Sequence, residues 1–127
     1  KFKIVEGRPN RSAGVFWRYQ DPRNYYVLRF SADQKNIAMF RVREGQFHPI
    51  PVTGGKAGAT SVPHDIRTGQ WYVARVSFRG DHFHVSFGNR ALFEGMDDSI
   101  QNPGKTGLWT RGSTVAEFDD FRIDKKS

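Results

Sequence analysis

The sequence predicts an all-β protein built as two antiparallel sheets packed face to face, and three observations predict it. Apolar and polar residues alternate with period two over most of the chain, the pattern of strands with one buried face. No segment carries the 3.6-residue apolar period of a helix. Clusters of Gly, Pro, Asn and Asp interrupt the alternation at the spacing that serial antiparallel strands require.

The strands read in order as "KFKIV", "AGVFWRY", "NYYVLRF", "NIAMFRV", "WYVARVSF", "HFHVSFG", "RALFE", "KTGLWT" and "VAEFDDFRI". Between them "EGRPNRS", "QDPR", "SADQK", "REGQ", "RGD", "GN" and "NPG" supply the turn residues. The long segment "PIPVTGGKAGATSVPHDIRTGQ" divides two strand-rich halves and reads as a crossover between sheets, with an irregular lid as the alternative. In "WYVARVSF", Tyr72, Ala74, Val76 and Phe78 share one face; in "HFHVSFG", Phe83, Val85 and Phe87 point inward and His82, His84 and Ser86 outward. Phe118 and Phe121 are three apart, so strict alternation cannot bury both, and a bulge is expected there.

At 127 residues the chain has the length of one domain, residues 1–127, with one core. The hydrophobic share is 37%, concentrated in eleven Phe, four Tyr and three Trp, so the core is expected to be aromatic-rich. The chain has no cysteine, which excludes disulfides, thiolate nucleophiles and cysteine-ligated zinc. No run approaches the roughly 18 apolar residues of a spanning helix, and the charged start lacks the apolar stretch of a signal peptide. A net charge of +7 favours anionic partners. The arginines are scattered through the strands rather than clustered, which fits solvated sheet faces better than a nucleic-acid groove.

The stretches "AGVFWRYQDPRNYYVLRF", "WYVARVSFRGDHFHVSFGNRALFE" and "KTGLWTRGSTVAEFDDFRI" resemble the concanavalin A-like lectin/glucanase superfamily. Within it they are most similar to the laminin-G-like jelly rolls of bacterial 3-keto-disaccharide hydrolase (3-keto-glucoside hydrolase) domains. The resemblance implies a jelly-roll sandwich, carbohydrate as ligand and a secreted or periplasmic setting. It also implies a strand beside the C-terminal one from a longer N-terminal segment, which this chain is expected to lack. The Glu-x-Asp-x-x-Glu pattern of the superfamily's glucanases is absent.

Candidate residues follow from chemistry. Sugars stack C–H faces on aromatic rings and exchange hydrogen bonds through hydroxyls, while arginine binds carboxylates bidentately. Arg18, Arg29, Arg75 and His84, with Trp17, Tyr19, Tyr25 and Trp109 as platforms, form the candidate glycan-binding set, suited to an oligo- or polysaccharide and especially an acidic one. The alternative is that half the aromatics are core and the arginines lie over them. Leu108 and Phe118 or Phe121 are expected to close the core, with Trp109 and Arg111 at the rim of the ligand face.

Asp119 and Asp120 are candidate calcium ligands by the resemblance, although backbone or arginine hydrogen bonding is the favoured reading. His82 and His84 have a chelating spacing with no third ligand in view. The pair His64 and Asp65 is too weak a signal for acid/base chemistry. Three function classes remain: carbohydrate recognition, which leads; a glycoside hydrolase using Asp97, Asp98 or Glu94, the two aspartates of "EGMDDS" being expected in a solvent-facing turn; and an interaction module, a homodimer or partner complex built on an exposed strand edge.

Overall fold

The computed structural model describes residues 1–6, 11–53 and 58–123. Most of the turn "EGRPNRS" and the "GGKA" centre of the long segment lie outside the described residues. Within them the chain forms twelve strands and no helix: β1 (Phe2–Glu6), β2 (Ser12–Asp21), β3 (Asn24–Ser31), β4 (Asn36–Arg43), β5 (Gln46–Pro49), β6 (Val52–Thr53), β7 (Val62–Pro63), β8 (Ala74–Arg79), β9 (His82–Phe87), β10 (Arg90–Met96), β11 (Lys105–Arg111) and β12 (Val115–Phe118). All nine strands read from the alternation are present. β5, β6 and β7 were not read because two to four residues are too few to show a period.

The front sheet runs β11-β2-β3-β4-β5, with β7 also on β4. The back sheet runs β6-β10-β9-β8, and an isolated bridge extends it: Phe2 and Tyr72 exchange backbone hydrogen bonds of 2.9 and 2.8 Å, which attaches the pair β1-β12 beside β8. The chain lays β2 to β5 in front, crosses back and forth through β6 and β7, builds β8 to β10 behind, and ends with one strand in each sheet. The long segment is therefore a crossover carrying two short strands.

β1 itself lies beside the terminal strand, with Phe2 opposite Phe118 and Ile4 opposite Ala116.

The core lies between the sheets and is as aromatic as the composition implies. From the front sheet it takes Ala13, Trp17, Tyr26, Leu28, Phe30, Ile37 and Met39; from the back sheet it takes Phe2, Ile4, Phe83, Val85, Phe87 and Phe93. Phe2 stacks on Phe30 with ring centroids 4.2 Å apart, and Trp17 meets Tyr26 at 5.7 Å and Phe83 at 5.4 Å. Each such side chain contributes about 1.5–3 kcal/mol on burial. Phe118 packs against this core, but Leu108 stands 40% exposed at the rim and Phe121, beyond the end of β12, is exposed. Closure of the core therefore rests on Phe118, and the expected roles of Leu108 and Phe121 are corrected.

A polar plug seals one end. Tyr26, facing inward on β3, donates its hydroxyl proton to Asp97 Oδ1 at 2.6 Å and accepts the Ile100 N–H at 3.0 Å. Asp97 Oδ1 also accepts the Ser99 N–H at 2.9 Å, and Oδ2 pairs with Arg41. Gln20 Nε2 donates to the carbonyls of Asn102 and Pro103, both at 3.0 Å. These bonds fix the irregular segment after β10. Asp97 was expected to face solvent in a turn; it is instead nearly enclosed, because the loop folds back over the open end of the core and needs an acceptor there.

Candidate glycan-binding face

The outward face of the front sheet is built by the residues that alternate with the core positions. These are Ser12, Gly14 and Phe16 on β2; Tyr25, Val27, Arg29 and Ser31 on β3; Asn36, Ala38, Phe40 and Val42 on β4; Phe47 on β5; and Gly107, Trp109 and Arg111 on β11. Tyr19 joins them although it is three residues from Phe16. The register slips between Trp17 and Asp21, and Arg18 takes a left-handed backbone with φ of 50°. That bulge adds a residue and turns Tyr19 to the same side as Phe16, where the two rings lie 5.0 Å apart.

The face is concave. β11 and β5 are the two edges of the front sheet, and four intervals of about 4.8 Å would set them roughly 19 Å apart in a flat sheet. Yet the Trp109 and Phe47 rings approach to 6.5 Å and the Arg111 guanidinium sits 5.7 Å from the Phe47 ring. Side chains from both edges close over the middle strands. Beneath them Tyr25, Val27 and Val42 are buried on what is formally an outer surface.

Two glycines let the aromatic layer lie close. A Cβ at Gly107 would stand 2.4 Å from Phe16 Cζ, and one at Gly14 would stand 2.2 Å from the Leu28 carbonyl oxygen and 3.2 Å from Trp109 Cε3. Burial pushes the Tyr25 hydroxyl above its ordinary pKa, against the opposing effect of its hydrogen bond with Trp109.

Arg29 is 6% exposed. It rests over the Phe40 ring at 4.9 Å and donates from Nη2 to Asn36 Oδ1 at 2.6 Å and to Gln34 Oε1 at 3.3 Å, while its buried Nε–H has no acceptor. Desolvation, with the Arg111 charge nearby, holds its pKa below the usual guanidinium value.

The structure thus divides the sequence-derived set. Arg29, Tyr19, Tyr25 and Trp109 share the front face, joined by Phe40, Phe47 and Arg111. Phe40 and Phe47 were missed: Phe40 alternates with Val42 and was readable, but Phe47 lies on a strand of four residues.

Trp17 is 1% exposed in the core, one residue before the bulge, with its indole N–H unpaired. Arg18 turns to the end of the sandwich, where its guanidinium donates to the carbonyls of Ile100 and Gly80 over the rings of Phe78 and Phe83. Arg75 and His84 are exposed on the outer face of the back sheet, on neighbouring strands β8 and β9. His84 Nδ1 pairs there with Glu94 Oε1 at 2.9 Å, beside an open hollow of about 440 Å³.

The end of the sandwich also holds a cavity of about 310 Å³ lined by Arg18, Gly80, Asp81, Asp98 and Gln101. Asp98, one of the expected turn carboxylates, is exposed there.

At the C-terminal end the Lys1 ammonium group pairs with Asp120 Oδ2 at 3.2 Å, and Asp119 Oδ1 accepts the Asp120 N–H at 2.9 Å. Among the described residues no three His, Cys, Asp or Glu converge on a metal position. Calcium takes six to eight oxygens; here one Asp120 oxygen is paired with Lys1 and one Asp119 oxygen accepts a backbone N–H.

No family model matches the sequence, and no curated protein matches it in sequence. Among solved structures, the carbohydrate-binding module CBM66 from Bacillus subtilis superposes with a TM-score of 0.76, at 18% identity, over 91% of this chain and 65% of that one. The two chains share one fold. At that identity the likeness establishes the architecture, an all-β jelly-roll sandwich as the sequence predicts, and this chain spans less than two thirds of that structure's length.

Proposed function

We propose that the protein is a carbohydrate-binding module that holds a glycan on the concave front face. The observation that carries this reading is the convergence of Phe47, Trp109 and Arg111 from opposite sheet edges above Tyr25, Arg29 and Phe40. Ring faces suit the C–H surfaces of a sugar, and fixed N–H donors suit its oxygens. The shared fold with a carbohydrate-binding module supports the reading. With it goes the expectation of a secreted or periplasmic protein, checked by fractionating the source cells.

The test is a backbone amide NMR titration of the labelled domain with pooled oligosaccharides. Shifts confined to β2, β3, β5 and β11 are expected. Shifts confined to β8, β9 and β10 would transfer the function to the back sheet, and none with any pool would end the saccharide reading.

A glycoside hydrolase of the 3-keto-glucoside type is the second reading, and one observation favours it: Asp81 and Asp98 line the same cavity. Paired carboxylates are the apparatus of glycoside cleavage. Both are open to water, with Asp98 exposed and the Asp81 side chain 43% exposed. Incubation with 3-keto-glucosides is expected to release no sugar; turnover abolished by D98N would establish the enzyme.

A further inference from the structure

We infer that the saccharide carries carboxylate groups, recognised by the guanidinium groups of Arg29 and Arg111; this rests on the carbohydrate reading above and names the class of glycan.

Arg41 is neutralised by Asp97, Arg11 by Asp33 and Arg67 by Asp65. Arg18 and Arg43 donate to backbone carbonyls, and Arg29 and Arg111 have no carboxylate partner among the described residues, Arg29 although it is buried. Aromatic rings hold them instead, Arg29 over Phe40 and Arg111 over Phe47, and those two rings are themselves 5.9 Å apart. A ring fixes a guanidinium by its quadrupole while leaving the N–H edge available, whereas a structural carboxylate would occupy that edge.

The strand positions of the face reinforce the point. From Ser12 to Phe16, Tyr25 to Ser31, Asn36 to Val42, Phe47 to Pro49 and Gly107 to Arg111, the outward residues include no Asp or Glu. Arg29 is more than nine-tenths buried with an orphaned Nε–H. Burying a cation without a counter-charge is costly, and a second cation close enough to perturb it adds to the cost. An anion arriving with the ligand offsets both. Planar carboxylates match a guanidinium edge bidentately, and aromatic rings beside the two cations suit a sugar that bears them. The fitting class is a uronic-acid oligosaccharide.

The experiment is isothermal titration of the full chain, at physiological ionic strength, with oligogalacturonate, oligomannuronate and hyaluronan oligomers. Each is paired with its methyl-esterified or carboxyl-reduced derivative. At least one acid form is expected to bind about tenfold or more tightly than its neutral derivative. R111Q is expected to remove that preference, and R75Q, which removes the same charge from the opposite sheet, to leave it intact. R111Q lies on an exposed side chain, so folding survives it.

Equal binding of acid and neutral forms would overturn the inference and leave the carbohydrate reading standing. Equal losses from R111Q and R75Q would show general attraction to a basic protein, and would overturn it too. No binding of any acid or neutral oligosaccharide would overturn the inference and the reading beneath it together.

Discussion

The Tyr26 hydroxyl lies 2.6 Å from Asp97 Oδ1, joining the middle of β3 to the loop after β10 across 71 residues of sequence. Burial alone would raise the pKa of Asp97. The hydrogen bonds from Tyr26 and Ser99, with the Arg41 charge, outweigh it and hold the carboxyl below its ordinary value of 3.8. Burial and the bond to Asp97 push Tyr26 well above its ordinary value of 10.0.

The acid limb of the stability profile follows from Asp97. As pH falls, the unfolded chain takes up the proton first, so stability present above about pH 4 declines through the lower folded pKa. Tyr26 acts in the opposite sense: its contribution is complete below about pH 10 and is lost above it. D97N is expected to cost about 1–3 kcal/mol at neutral pH and to flatten the acid limb. Denaturant unfolding between pH 2 and 7 measures both, and an unchanged acid limb in D97N would show that other carboxylates set it.

Gly14 and Gly107 separate two kinds of crowding. In G14A the new methyl group meets the backbone carbonyl of Leu28, which cannot swing aside; in G107A it meets the end of the Phe16 ring. G14A is expected to lose roughly 3 kcal/mol or more, and G107A about 1–2 kcal/mol with a displaced Phe16 ring. Thermal melts rank them, and a neutral G14A would refute the close approach of β2 to β3.

Trp109 and Trp71 offer a matched pair on opposite sheets. Trp109 is half-buried on the front face, while Trp71 is 42% exposed on the back sheet beneath the Lys3 ammonium group. W109A is expected to weaken glycan binding about tenfold, or roughly 1.4 kcal/mol, with the fold intact, and W71A to leave it unchanged. The reverse ranking would move the binding face.

Arg29 should behave as a residue kept for ligand rather than for folding. Replacing a buried cation that lacks a counter-charge with an apolar side chain of similar length removes its desolvation cost. R29M is therefore expected not to lower the melting temperature while it reduces binding of an acidic oligosaccharide. A fall of several degrees would assign Arg29 to the stability of the sheet, through Asn36 and Phe40.

Period-two alternation carried the fold, because every long strand here has one buried face. It sorted β8 into its two faces and assigned the inward side of β9 residue by residue, with Phe83, Val85 and Phe87 in the core. The site was less legible, for two physical reasons. Alternation says which residues share a face of one strand but not which sheet holds that strand, so Arg75 and His84 were grouped with Arg29 although the core separates them. The bulge at Arg18 also resets the parity within β2: Trp17, before it, stays inward with Ala13, and Tyr19, after it, turns outward. Nothing in "FWRYQD" marks a left-handed arginine, and its consequence is that Tyr19 parts from Trp17 and joins Phe16.

β1 finds its partners far along the chain: Phe2 pairs with Tyr72 and with Phe118. Closing loops of this length costs conformational entropy that grows only slowly with length, but it must be met before any contact rewards it. A chain emerging from the ribosome in order therefore makes β1 first and completes it last. The front hairpins can form as they appear, whereas the aromatic end of the core around Phe2 waits for the final strand. Folding is expected to be slow for a protein this small, on the order of milliseconds to seconds, and its last step is the docking of β12.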